Sequence, residues 1–157
     1  MNKFSEKFPY LFHIKTLAQR LKDISDFYLE KSEINTSLGM ILGQINCSQN
    51  LGIPINRKHL ENALKISGPS VSNLLTKLEK KGSIVRSNNK LDNRNLTISI
   101  TQSGQSLLED TNIALSQADK LLTQGMSSEE KEIFLNLLQR SLKNLENMEQ
   151  EIKHEAY

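Results

Sequence analysis

The sequence lacks the features on which several classes of protein depend. Cys47 is the only cysteine in 157 residues, so the chain cannot form an intrachain disulfide. The sequence has no N-terminal apolar run of the signal-peptide type and no apolar segment long enough to cross a bilayer. We therefore expect a cytoplasmic location and no membrane partner.

Patterns that carry enzyme chemistry are also missing. The sequence has no Gly-rich phosphate loop, no nucleophile elbow and no pair of carboxylates in a catalytic context. The three histidines, His13, His59 and His154, lie too far apart for a local metal site, and a site shared across a dimer is the alternative. We expect a protein that is not an enzyme and that needs no cofactor and no metal.

Positive charge is concentrated in the middle of the chain. Residues 57–94 contain nine Lys or Arg against three Asp or Glu, a net charge of +6. The remaining residues contain eleven basic and fifteen acidic side chains, a net charge of −4. A cationic module within an acidic chain is typical of a protein that binds a polyanion such as DNA, and a solvated basic face is the plainer alternative.

The most informative stretch begins at residue 68, where the sequence predicts an amphipathic helix that reaches Gly82. Its apolar residues recur at helical spacing and predict a buried face: Val71, Leu74, Leu75 and Leu78. Its outward face is predicted to present Ser70, Ser72, Asn73, Thr76, Lys77 and Lys80. Short hydroxyl and amide side chains near the start of a helix suit contacts with base edges, and lysines suit contacts with phosphates.

Helices are predicted on both sides of this element. Apolar spacing predicts one helix over residues 8–31 and a second over 36–49, and Asn56 can cap a short helix over 57–64. Residues 66–69 interrupt the helical pattern, and Ser67 or Gly68 can cap the helix that follows. This order of a short helix, a tight turn and a longer helix predicts a helix-turn-helix. Two more helices complete the chain. The first is predicted over residues 103–124, and the last begins at the capping signal of residues 127–130 and passes Ile152.

Between residues 82 and 103 the apolar period changes from that of a helix to that of strands. The two-residue spacing of Ile84 and Arg86, and then of Leu96, Ile98 and Ile100, predicts two strands. Residues 87–95 are predicted to form a polar loop between them. We call this predicted β-hairpin the wing. The fold class is therefore predicted as mainly α, with a winged helix-turn-helix at about 36–101 in a single domain over 1–157, flanked by dimerisation helices at about 8–31 and 103–155. The last helix carries an apolar seam of Phe134, Leu138, Leu145, Met148 and Ile152.

Three groups of residues resemble the wing signature of the MarR family of bacterial transcriptional regulators. They are Gly82-Ser83-Ile84-Val85-Arg86, Asp92-Asn93-Arg94 and the run from Ile98 to Gly104. The run from Gly68 to Leu75 is similar to regulators of multidrug efflux in that family. The resemblance implies a homodimer whose first and last helices interlock and whose two winged modules bind a pseudo-palindromic DNA operator. Ser83 departs from the family pattern, in which an apolar residue is usual.

Four residues of the wing are candidate DNA-binding residues: Arg86, Lys90, Asp92 and Arg94. A guanidinium at a loop tip can enter the minor groove, where phosphates on both sides raise the negative potential, and Arg94 is the candidate for this role. Asp92 is expected to accept hydrogen bonds from Arg86 or Arg94 and to hold the wing in shape. An ordinary surface ion pair is the alternative.

The resemblance also implies a small-molecule inducer. Phe12, Phe27, Tyr28 and Leu38 are the candidate pocket residues, and a plain helical core is the alternative use of the same side chains. Cys47 could be a peroxide sensor, as in one branch of the family, but there the reactive thiol lies near the start of the first helix. Because no basic or aromatic cluster surrounds Cys47 in the sequence, we expect a buried, inert thiol.

Together these patterns predict a sequence-specific DNA-binding transcriptional regulator that acts as a ligand-responsive homodimeric repressor. The alternative is a winged module that docks a protein and does not bind DNA. A docking surface would expose an apolar or aromatic patch, but residues 57–94 contain no Phe, Tyr or Trp. This absence favours the DNA-binding interpretation.

Overall fold

The computed structural model describes residues 3–53, 55–88 and 96–155. Its elements in chain order are α1 (Lys3–Lys7), α2 (Pro9–Leu29), a 3-10 turn (Glu30–Ser32), α3 (Thr36–Asn50), α4 (Arg57–Leu64), α5 (Gly68–Lys80), β1 (Ile84–Asn88), β2 (Leu96–Ile100), α6 (Gln102–Leu122) and α7 (Ser128–Glu155). β1 and β2 form a two-stranded antiparallel hairpin. The predicted fold class, a mainly α chain with a winged helix-turn-helix and flanking terminal helices, is confirmed.

Side-chain caps determine where the helices of the winged module begin. Asn35 caps α3, and Asn56 caps α4 by accepting a hydrogen bond from the backbone N–H of His59 at 2.8 Å. Ser67 caps α5 by accepting from the backbone N–H of Ser70 at 3.4 Å. These oxygens satisfy backbone donors that have no partner within the helix. All three helices therefore begin at the residues that the sequence predicts.

The core of the winged module is buried between α3, α4, α5 and the hairpin. It includes Ile41, Leu42, Ile45, Leu60, Val71, Leu75, Leu78, Ile84 and Ile98. The predicted apolar face of α5 supplies three of these side chains, and Leu74 is half-buried against the same core. Burial of each such side chain contributes roughly 1.5–3 kcal/mol. This anchoring holds α5 with its polar face outward.

Backbone contacts around Gly104 close the hairpin against the start of α6. The Thr101 N–H donates to the Ser83 carbonyl at 3.1 Å, and the Thr101 hydroxyl donates to the Gly82 carbonyl at 2.7 Å. The same hydroxyl oxygen accepts from the Gly104 N–H at 3.1 Å. Ser83, which departs from the family pattern, is fully buried, and its hydroxyl has no hydrogen-bond partner among the described residues. The position is thus packed as an apolar residue would be, with one polar atom left unpaired.

The structure differs from the sequence prediction at several boundaries. The helix predicted over residues 8–31 is shorter, from Pro9 to Leu29, and a separate helix α1 precedes it. Phe8 has φ −131° and ψ 64°, which are not helical angles and so separate α1 from α2. β1 extends into the predicted loop because Asn88 pairs with Leu96. α6 spans residues 102–122 instead of 103–124.

The chain forms two compact units, residues 1–119 and 120–157. In the second unit α7 begins at a capping box, in which the Glu130 N–H donates to Ser127 Oγ at 3.2 Å and the Ser127 N–H donates to Glu130 Oε2 at 2.8 Å. The prediction of a single domain over 1–157 stays a prediction. Among the described residues, none of the helices combines the length and apolar character needed to span a membrane.

Asp26 connects α2 to the start of α3. Its carboxylate accepts hydrogen bonds from the Thr36 N–H at 2.6 Å and the Thr36 hydroxyl at 2.5 Å, and it pairs with Lys22 at 2.5 Å. Partial burial raises the pKa of Asp26, but the hydrogen bonds from Lys22 and Thr36 outweigh burial and hold the pKa below its usual value. The ionised form is therefore the one that the fold stabilises.

Asp26→Asn is expected to destabilise the fold by about 1–2 kcal/mol at neutral pH, because it removes charge-assisted hydrogen bonds. The folded pKa is below the unfolded pKa, so this stability is complete above the unfolded pKa and is lost as pH falls through the folded pKa. Thermal denaturation at about pH 7 and about pH 3 should show the gap between wild type and variant narrowing in acid. Asp23→Asn, which alters the exposed partner of Gln19, is the control. A gap of equal size at both pH values contradicts the assignment.

Candidate nucleic-acid interface

The outward face of α5 brings together the six polar residues that the sequence predicts. Asn73, Thr76 and Lys80 are exposed on the side of the helix opposite the buried residues. Ser70 and Lys77 are exposed on the flank nearer α3, where they line a cavity. On the other flank, Ser72 is half-buried and lines a cleft beside the hairpin. Their roles as DNA contacts stay predictions.

Arg86 of β1 lies against α5, the second helix of the helix-turn-helix, which is called the recognition helix in this motif. Its Nε atom is 3.3 Å from Glu79 Oε2, and its Nη2 atom donates to Thr76 Oγ1 at 3.4 Å. The Thr76 hydroxyl in turn donates to the Ser72 carbonyl at 2.9 Å. The Arg86 side chain is only 23% exposed as a result. The first strand of the wing is therefore tied to the recognition helix by polar contacts.

A cleft of about 460 Å³ lies between the start of α4, the helix α5 and the hairpin. Arg57, Lys58 and Arg86 line it together with the hydroxyl of Ser72. Arg57 and Lys58 pair with Glu61 at 2.9 and 3.5 Å, yet their side chains remain 65% and 77% exposed. The exposed cations Arg57 and Lys58 suit contacts with a DNA phosphate, whereas Arg86 is already paired with Glu79.

Sequence reasoning missed two parts of this interface. Arg57 and Lys58 belong to the predicted basic segment but were not predicted as DNA contacts. Their position in the first turn of α4 was the signal that could have identified them. Glu79 was not recognised as the partner of Arg86, because the turn after α5 brings the two residues together. Lys90, Asp92 and Arg94 lie outside the described residues, so the predicted contacts of Asp92 and Arg94 stay predictions.

The four residues predicted to line an inducer pocket lie in three different places. Leu38 is buried in the core, and Phe12 lines a surface hollow with Phe4. Phe27 and Tyr28 contact each other, with ring centroids 5.7 Å apart, and are exposed at the end of α2. The rise of a helix places Phe12 and Phe27 about 22 Å apart, so they cannot share one small pocket. The structure does not bring the four residues together.

A different cavity, of about 440 Å³, lies beside α5. Met40, Leu64 and Leu74 supply apolar walls, and Lys77 supplies a positive charge, whereas Lys22 is paired with Asp26. Ser70 and Asn73, two of the candidate DNA contacts, also line it. Any molecule bound in this cavity would therefore contact the recognition helix.

Cys47 is exposed, so the prediction of a buried thiol is wrong. α3 buries Ile45 and Ser48 and turns Cys47 away from the core. His59 accepts from or donates to the buried Ser48 hydroxyl at 2.9 Å, a contact that joins α3 to α4. Among the described residues, no group of three His, Cys, Asp or Glu side chains could hold a metal ion.

The fold and the basic face around α5 define a winged helix-turn-helix of the nucleic-acid-binding class. The sequence model of the MarR family matches residues 35–96. The HTH-type transcriptional regulator SarZ of Staphylococcus haemolyticus is 31% identical over 107 residues, which cover 61% of this chain and 70% of SarZ. An uncharacterized HTH-type transcriptional regulator of Bacillus cereus is 33% identical over 86 residues, or 55% of this chain and 54% of that protein.

Solved structures of transcriptional regulators are also similar to this chain. MepR of S. aureus in complex with DNA is 30% identical to this chain, with a TM-score of 0.76 and coverage of 92% of this chain and 99% of MepR. A cysteine-to-serine mutant of MarR from E. coli in complex with operator DNA is 22% identical, with a TM-score of 0.77 and coverage of 90% and 99%, and this likeness shows the fold alone.

This chain belongs to the MarR family of transcriptional regulators. The family consists of regulators and not of enzymes, which confirms that part of the sequence prediction. Transcriptional regulation through DNA is favoured over the alternative of a protein-docking module.

Proposed function

We propose that the chain is a ligand-responsive homodimeric repressor that binds a pseudo-palindromic DNA operator in the cytoplasm. The observation that carries the proposal is the arrangement of Asn73, Thr76 and Lys80 on the open face of α5, beside a cleft that holds Arg57, Lys58 and Arg86. A polar helix face flanked by cations can enter the major groove while the flanks contact phosphates. MepR and MarR, with the same fold, were solved in complex with DNA, which supports this reading.

Every candidate residue except Arg86, which is paired with Glu79, has a direct role in this proposal. Ser70, Ser72, Asn73 and Thr76 contact base edges or groups near them, whereas Lys77 and Lys80 contact the DNA backbone. Arg57 and Lys58 add backbone contacts at the start of α4. Arg94 enters the minor groove, Lys90 supports it electrostatically, and Asp92 orients the wing arginine.

Selection from a random duplex library tests DNA recognition directly. The purified full-length chain should enrich an inverted repeat whose half-site centres lie ~10 bp apart, because a two-fold dimer that reads successive major grooves on one face requires one helical turn. If repeated rounds enrich no sequence, the proposal of a sequence-specific repressor fails.

Exposed apolar side chains support a homodimer held by residues 8–30 and 128–155. On α1 and α2, Phe4, Tyr10 and Leu11 are 50%, 83% and 62% exposed in the single chain. On α7, Leu145 and Met148 of the apolar seam are 65% and 52% exposed. Such a quantity of exposed apolar surface is unfavourable in water and is covered when two copies associate.

Sedimentation equilibrium at micromolar concentration should therefore give twice the mass of one chain. Leu145→Lys, which puts a charge into the apolar seam, should weaken the dimer about tenfold or more. Asn147→Lys adds the same charge on the other side of α7 and should leave the dimer intact. A wild-type chain that sediments as a monomer refutes the proposal.

The cavity beside α5 is the proposed inducer site, in place of the four scattered residues. Its apolar walls and the charge of Lys77 suit a small aromatic carboxylate. A ligand that contacts α5 can favour one spacing of the two α5 helices of a dimer. A broad range of apolar ligands is also a reasonable set to screen, because the sequence resembles regulators of multidrug efflux.

Benzoate and related aromatic carboxylates should weaken binding to the selected operator by about fivefold or more, the lower end of typical allosteric coupling. Met40→Trp should fill the cavity and abolish this response while operator affinity without ligand stays unchanged. Fluorescence anisotropy with labelled operator measures both. A response that persists in Met40→Trp would place the ligand elsewhere.

A further inference from the structure

We propose that Glu79 is a positioning residue that determines DNA specificity by holding Arg86 on the recognition helix and masking the charge of Arg86 from DNA phosphates. The inference rests on the proposed DNA binding. It concerns the end of α5, where the Arg86 guanidinium lies 3.3 Å from Glu79 Oε2. The Glu79 side chain is 45% exposed, so the pair lies at the surface that DNA would approach.

The position of Glu79 is unfavourable for a carboxylate in two ways. Glu79 lies in the last turn of α5, where the partial negative charge of the helix end disfavours an anion. It is also the only acidic residue of α5, whose other charged residues are Lys77 and Lys80. A carboxylate at this place repels DNA phosphates unless a cation neutralises it, and Arg86 is the cation that the structure supplies.

The same pair reaches a base-reading side chain through Arg86. Arg86 Nη2 donates to Thr76 Oγ1, whose own hydrogen is donated to the Ser72 carbonyl. A lone pair and the hydrogen of the Thr76 hydroxyl are thus both used within the protein. The methyl group of Thr76 remains available for a base, and an apolar contact of this kind suits the thymine C5 methyl group.

Two consequences follow for DNA binding. With the Glu79 carboxylate beside it, Arg86 releases few counterions and adds little to sequence-independent affinity. When an uncharged side chain replaces Glu79, the guanidinium is free to move to a phosphate, which adds non-specific affinity and releases Thr76 from its fixed orientation. Glu79 therefore lowers non-specific binding and preserves discrimination between sequences.

The test compares affinities for two duplexes, the sequence that the wild-type chain selects and a scrambled duplex of equal composition. Fluorescence anisotropy of the full-length chain over a range of KCl concentrations gives the operator-to-scrambled affinity ratio and the slope of log K against log [KCl]. Glu79→Gln should lower the operator-to-scrambled affinity ratio about fivefold or more. It should also steepen the salt slope for the scrambled duplex by the amount that corresponds to about one additional phosphate contact per protomer. Glu79→Asp keeps the charge and should keep the wild-type slope.

A second comparison separates action through Arg86 from direct repulsion between Glu79 and DNA. In an Arg86→Gln background, Glu79→Gln should leave the operator-to-scrambled ratio unchanged, because the carboxylate then repels the phosphates of both duplexes equally and no guanidinium is present to orient Thr76. Glu109→Gln, which removes an exposed carboxylate from α6, is the control for charge alone. An unchanged ratio in Glu79→Gln overturns the proposal, and so does an equal change of the ratio with and without Arg86. If the wild-type chain selects no sequence at all, it is the proposed function that fails.

Discussion

Gly104→Ala is expected to destabilise the winged module by about 3 kcal/mol or more, the largest stability effect we predict for one added methyl group. A Cβ atom at residue 104 would overlap the Ser83 carbonyl oxygen and would lie 2.8 Å from Ile100 Cγ2. The Ser83 carbonyl cannot move away, because it accepts the Thr101 N–H that closes the hairpin against α6. The strain is therefore distributed over the backbone of the wing.

Thermal denaturation at fixed protein concentration measures this effect, since the midpoint of a dimer depends on concentration. The midpoint of Gly104→Ala should fall by roughly 6–12 °C for a chain of this size. Gly43→Ala is the matched control, because a Cβ at residue 43 would meet only Leu108 Cδ1 at an ordinary 4.0 Å. An alanine in the interior of α3 should be neutral or stabilising by up to about 1 kcal/mol. Equal midpoints for the two variants would contradict the close approach at Gly104.

Arg94→Ala is expected to cause the largest loss of DNA affinity. A guanidinium lost from the minor groove removes a charge-assisted contact worth roughly 1–3 kcal/mol, and a dimer loses it twice. The slope of log K against log [KCl] should also become shallower, because fewer counterions are released. Dimer stability should not change, since Arg94 lies in neither segment that we propose to hold the dimer.

Two further variants serve as comparisons for Arg94→Ala. Asp92→Ala should reduce affinity less, because it acts only by loosening the orientation of the wing. Arg140→Ala removes an exposed guanidinium from α7, on the side away from the apolar seam, and should leave operator affinity unchanged. If Arg94→Ala binds the operator as tightly as wild type with the same salt slope, the wing is not a DNA-reading element.

The starts of the helices were predictable because the signals that determine them are local. Asn56 and Ser67 accept hydrogen bonds from residues three positions along the chain, so their role can be read from a few consecutive letters. The buried face of α5 was predictable for a similar reason, since helical periodicity alone separates its apolar residues from its polar residues.

Contacts that depend on the path of the chain were not predictable. Glu79 and Arg86 meet only because the turn at Gly82 directs β1 back over α5, and periodicity contains no information on that direction. Phe12 and Phe27 were grouped by chemical type, but they lie at distant positions along α2. The exposure of Cys47 likewise depends on which side of α3 the other helices cover.

The central claim is that two copies of α5 read one operator as a symmetric pair, and hydroxyl-radical footprinting on the selected duplex tests it most directly. We expect two protected regions related by a two-fold axis, on one face of the duplex, with centres ~10 bp apart. Protection of a single asymmetric half-site, or uniform protection without boundaries, would contradict it.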